Sequence, residues 1–91
     1  MDRKQQIETW IDAHRDEFLE DLKALCRIRS VTGEPAENAP YGVGPAKALA
    51  KAMEMCAGYG FDVQNHDYRV MTADFGDPDG RVLDVLAHLD V

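Results

Sequence analysis

The stretch VLDVLAHLDV, residues 82–91, constrains the fold more than any other part of the chain. Successive side chains of a strand point to opposite faces. Leu83, Val85, Ala87, Leu89 and Val91 therefore make one wholly apolar face, while Val82, Asp84, Leu86, His88 and Asp90 make the other. A strand with so little polar surface belongs inside a sheet that is covered on both sides. Ligands of such sheets gather outside the carboxyl ends of the strands, and His88 and Asp90 sit at that end. Asp84 falls in the middle of the run. A buried carboxylate needs partners, so Asp84 is expected to play a structural hydrogen-bonding role.

Upstream, Ile7, Trp10, Ile11, Phe18, Leu22, Leu25 and Ile28 recur at spacings of three, four or seven, which predicts one face of a single long helix. Asp2 is placed to cap its start. His14 shares the face and reads as a packing or rim residue with no functional role. The segment TGEPAENAPYGVGP, residues 32–45, holds three Gly and three Pro in fourteen residues and predicts a long shaped loop. Pro45 suits the first turn of a second helix. Lys47, Lys51 and Glu54 form a narrow polar stripe on that helix, which therefore needs cover on most sides. The glycines of GYG, residues 58–60, stop it. FDVQNHD and YRVMTADFG then read as two short strands, with His66 a solvated residue at a strand end. DPDG, residues 77–80, is a turn leading into the last strand. The order helix, loop, helix, three strands predicts an α/β fold that fills residues 1–91 as one unit.

Ten basic against seventeen acidic residues give a net charge of -7. That charge repels nucleic-acid phosphates and anionic membrane surfaces, so neither is an expected partner. The N-terminal MDRKQQIETW is polar where a signal peptide is apolar, which places the expected location in the cytoplasm. Cys26 and Cys56 lack a CxxC spacing and are expected to be buried reduced thiols. A chain this short buries a modest share of its surface. Its uncovered apolar faces predict association, with a homo-oligomer the expected state.

A histidine that binds a metal through one nitrogen typically gives its other N–H to an acceptor such as a carboxylate, and His88-x-Asp90 has that form. At this level a strand-end histidine hydrogen-bonded to its neighbour is the better reading of the pair. The wider sequence adds to it. FLEDLKALCRIRSV, TGEPAENAPYGVGPAKALAKAMEMCAGYGF and RVLDVLAHLDV, taken in order, resemble the N-terminal part of the dizinc exopeptidases related to aminoacylase, carnosinase and succinyl-diaminopimelate desuccinylase. The Gly/Pro-rich GEPAENAPYGVGPAKAL resembles the dipeptidase V branch in particular, and AHLDV resembles the family's first metal motif. The resemblance implies a zinc-exopeptidase-like catalytic domain that hydrolyses short peptides with two zinc ions. It makes His88 a zinc ligand and Asp90 the residue that holds its imidazole. The family's remaining ligands and its general base lie beyond this motif. Residues 1–91 are thus expected to be inactive alone and not to bind both zinc ions. A related deacylase or desuccinylase and a non-catalytic self-associating module are the alternative readings.

Overall fold

A computed structural model describes residues 2–91. The N-terminal helical pattern forms two helices, α1 (Arg3–Ala13) and α2 (Arg15–Cys26). Asp2 caps α1 as expected. Its carboxylate accepts from the Gln5 N–H at 2.8 Å, and the Gln5 side chain accepts from the Asp2 N–H at 3.1 Å, a reciprocal capping box. The single long helix is corrected at His14. This residue leaves helical geometry at φ -110 and ψ 11, and its Nδ1 reaches back to the Trp10 carbonyl at 2.7 Å. The Trp10 carbonyl also keeps its ladder bond from the His14 N–H at 3.1 Å, and after the departure of His14 from helical dihedrals the ladder restarts at the His14 carbonyl with Phe18.

Residues 27–42 form the shaped loop. It is closed by the Gly33 N–H on the Tyr41 carbonyl at 2.8 Å and by paired bonds between Ala36 and Ala39 at 3.0 Å. The loop delivers its backbone against the start of α3 (Val43–Gly58). Gly42 has φ 102, and a Cβ there would lie 2.8 Å from the Gly33 nitrogen; at Gly44 a Cβ would collide with the Arg29 carbonyl oxygen. Only residues without a side chain let these two stretches of backbone approach so closely. Pro45 occupies the first turn of α3, where its missing N–H costs no ladder bond. The helix ends in a Schellman motif: the Gly60 N–H bonds the Ala57 carbonyl and the Phe61 N–H bonds the Cys56 carbonyl, each at 3.1 Å, with Gly60 at φ 94. On the polar stripe Lys51 pairs with Glu54 at 3.7 Å.

Strands β1 (Asp62–His66) and β2 (Val70–Asp74) pair antiparallel, with Val63 opposite Ala73 and Asn65 opposite Met71. Their turn is closed by the Arg69 N–H on the His66 carbonyl, with Asp67 and Tyr68 both near φ +60. The half-buried Val63, Met71 and Ala73 share one face, and α3 packs on both strands. Ala39, Ala48, Leu49 and Ala52 are the buried apolar residues among those described. The mixed helices and two-stranded sheet agree with an α/β reading at that coarse level.

The third strand is corrected. The DPDG turn forms, with the Gly80 N–H on the Asp77 carbonyl at 3.2 Å, but residues 81–91 join no sheet. Leu83 and Val85, expected to be the most buried, are 87% and 83% exposed. The alternation signals what the segment needs, and the chain supplies only a two-stranded sheet with α3 on one face. Asp84 is exposed for the same reason. Neither cysteine is buried as expected: both are free, with Cys26 exposed and Cys56 half-buried. The accessible surface is 7771 Å², against about 5,300 Å² for a compact folded chain of this mass. The radius of gyration, 15.7 Å, likewise exceeds the roughly 12 Å of a compact chain of this length.

The close approach at Gly44 predicts a mutational contrast within one helix. Gly44→Ala should destabilise the chain by about 1–3 kcal/mol, the range for forcing atoms into filled space. Gly58→Ala, where nothing lies within 4 Å, should be neutral or stabilising by up to about 1 kcal/mol because alanine favours the helix. Urea titrations followed by circular dichroism at the helical band measure both.

Candidate functional site

The site begins where the C-terminal segment returns to the body of the molecule. The Val91 N–H donates to the carbonyl of the buried Ser30 at 3.2 Å. This bond lays residues 88–91 along the segment that follows α2. Leu89 turns inward and is half-buried, and the alternation leaves His88 and Asp90 on the outer side. The structure thus brings together the two residues singled out by the sequence, although the strand expected to carry them is absent. His88 Nδ1 lies 3.1 Å from the Asp90 carbonyl oxygen and 3.3 Å from Asp90 Oδ1. Carbonyl and ionised carboxylate oxygens only accept hydrogen bonds. Nδ1 is therefore the protonated nitrogen of the neutral ring, which leaves the Nε2 lone pair unengaged by Asp90.

A hollow of about 540 Å³ lies between the end of α2 and this segment, bordered by Leu22, Cys26, Arg27, Arg29, His88 and Val91. The arrangement offers one oriented imidazole nitrogen, Nε2. Among the described residues no group of three or more His, Cys, Asp or Glu side chains is gathered where it could hold a metal ion.

The other candidate polar residues serve local structure. His66 Nε2 meets Thr72 Oγ1 across the hairpin at 3.0 Å, at an exposed position as expected. His14 stacks on Trp10 with ring centroids 3.8 Å apart and planes 13° from parallel, which fits a rim packing role. A larger hollow of about 680 Å³ between α2 and α3 is lined by Trp10, Phe18, Leu22, Met55 and Phe61 among others. Sequence reasoning did not single it out as a hollow. Its signal was the apolar helix face itself, which reads as core until the structure shows it uncovered.

No family model matches the chain. Over 83 residues, 89% of its length, the chain is 34% identical to proteins of Staphylococcus aureus strains USA300 and NCTC 8325 that bear the name "Putative dipeptidase". The similarity is to dipeptidases. A protein of strain N315 with the same name matches to the same extent. The chain spans 18% of the length of these relatives. The match is dipeptidase-like over that span. No helix among the described residues is long and apolar enough to cross a membrane.

The tautomer deduced for His88 is directly measurable. Long-range proton–nitrogen correlation spectra of the neutral ring should show Nδ1 protonated and Nε2 bare. Asp90→Ala removes the carboxylate and should shift the population toward protonated Nε2. A spectrum dominated by protonated Nε2 in the unmodified chain would contradict the geometry.

Proposed function

We propose that this chain is the N-terminal part of the catalytic domain of a zinc-dependent cytoplasmic dipeptidase that hydrolyses short peptides. We place it in the dipeptidase V branch of the dizinc exopeptidases. The similarity to dipeptidases over 89% of the chain carries the reading. The Gly/Pro-rich loop of residues 33–49 supports the branch by its resemblance to the segment that precedes the corresponding helix there. In this reading His88 binds a zinc ion through Nε2, and Asp90 accepts from Nδ1–H and fixes the ring. The 3.3 Å contact between them supports that division of roles.

The residues present do not by themselves compose a zinc site. A catalytic zinc takes about three protein ligands, and one suitable imidazole is at hand. The contribution of this chain is to hold and orient one ligand. The segment 88–91 is fastened to the end of α2 through Ser30, so the position of that ligand depends on the loop and on the packing of α3.

The isolated chain should release no amino acids from a dipeptide panel with added zinc, measured by chromatography. A chimera in which it replaces the matching segment of a Staphylococcus aureus relative should hydrolyse dipeptides in a zinc-dependent way. In that chimera His88→Ala should abolish turnover, while Asp90→Asn should reduce activity or metal affinity by roughly 10–100-fold. Zinc-dependent hydrolysis by the isolated chain, or full activity of the His88→Ala chimera, would overturn the assignment.

A further inference from the structure

The peptide unit between Asp90 and Val91 is hydrogen-bonded at both of its ends. Its N–H donates to the Ser30 carbonyl at 3.2 Å, and its C=O accepts from His88 Nδ1 at 3.1 Å. A trans peptide is planar and stiff, so its N–H and C=O point in opposite directions. The two bonds therefore run as one line from the Ser30 carbonyl through the peptide to the imidazole. Hydrogen bonds that share a group in this way polarise and strengthen one another. Among the described residues the Val91 bond is also the one backbone hydrogen bond between residues 81–91 and the rest of the chain.

The far end of the line is seated by a glycine. Arg29 and Val31 turn their carbonyls toward the first turn of α3, where a Cβ on Gly44 would collide with the Arg29 oxygen and lie 3.3 Å from the Val31 oxygen. The carbonyl between them, that of Ser30, is the one that accepts from Val91. Ser30 itself is 4% exposed. A few residues further on, the Gly33 N–H is fixed on the Tyr41 carbonyl at 2.8 Å, with Gly42 close against Gly33. The acceptor thus sits in a stretch of backbone held on both flanks.

We propose that Gly44 and Ser30 are positioning residues for the His88 imidazole. Gly44 seats the backbone of residues 29–31, the Ser30 carbonyl fixes the Asp90–Val91 peptide, and that peptide aims Nε2. This rests on the reading of His88 as a metal ligand and adds two residues that the His-x-Asp pattern does not contain. It also gives the two acceptors of Asp90 different tasks. The carboxylate, 3.3 Å from Nδ1, helps select the nitrogen that carries the proton, and the main-chain carbonyl ties the ring to the body of the molecule.

Val91→Pro tests the line directly, because proline keeps the Asp90 carbonyl and removes the N–H. Long-range proton–nitrogen correlations and three-bond couplings of the neutral His88 ring are the readout in the 91-residue chain. The unmodified chain should show protonated Nδ1 and one χ1 rotamer. Val91→Pro should raise the Nε2-protonated population by roughly twofold or more, the smallest effect of losing one supporting hydrogen bond, and should average the χ1 couplings. Gly44→Ala leaves residues 88–91 untouched and should move His88 in the same direction. Ala52→Gly weakens α3 through its backbone without adding an atom near residues 29–31, and should leave the His88 signals of the folded chain unchanged. Helical circular dichroism shows which variants fold; if Gly44→Ala does not, Val91→Pro decides alone. In the chimera with a Staphylococcus aureus relative, Val91→Pro should lower zinc affinity roughly 10–100-fold, measured by equilibrium dialysis and atomic absorption. His88 signals indifferent to Val91→Pro overturn the proposal, as does an Ala52→Gly effect equal to that of Gly44→Ala. An inactive His88→Ala chimera beside a Val91→Pro chimera of undiminished zinc affinity overturns the positioning role and leaves the dipeptidase reading standing. A fully active His88→Ala chimera overturns both.

Discussion

The contact between the apolar face of α3 and the loop and hairpin on either side of it is what the other elements depend on. Ala48, Leu49 and Ala52 are buried there, and Leu49 is the one large aliphatic side chain among the buried residues. Burying a leucine stabilises by roughly 1.5–3 kcal/mol, while ordering each residue's backbone costs about 1–2 kcal/mol. A contact of this size holds what touches it and little more. The hairpin touches it directly. The loop is fixed to it where Gly42 and Gly44 let backbone meet backbone. α2 reaches it along one side, and α1 and the C-terminal segment are attached through these neighbours.

This hierarchy explains which parts of the fold were legible in the sequence. The elements governed by local chemistry were read correctly: the Asp2 cap, the Pro45 start and glycine stop of α3, the turn at Asp77–Gly80, and the two short strands. Each follows from dihedral preferences and from hydrogen bonds spanning a few residues. The misread elements depend on mass elsewhere. Periodicity records that Val82, Leu83, Val85 and Leu86 avoid water, but it does not say whether the chain holds a layer to cover them. The long helix failed differently. Its apolar spacing continues through His14, and the departure of that residue from helical dihedrals leaves no trace in that pattern.

The candidate site divides along the same line. The proximity of His88 and Asp90 was legible because residues two apart in an extended segment share a side, and this survives the loss of the strand. The direction of the imidazole was not legible, because it depends on the Asp90 main-chain carbonyl as well as the carboxylate. The anchoring of the site was also hidden. Val91 meets Ser30 across sixty residues of intervening chain, and neither residue type announces that bond. Nε2 stands on the side of the ring that Asp90 leaves open.

The break at His14 carries a consequence for how the molecule comes apart. α1 is eleven residues long and buries none of them, and isolated helices of that length are marginal in water. With no ladder continuous through His14, fraying that starts at Arg3 can consume all of α1 without reaching the rows of hydrogen bonds in α2. The chain thus comprises two cooperative units of very different opening free energy: an N-terminal arm that melts and re-forms on its own, and an α3-centred unit that survives each such event.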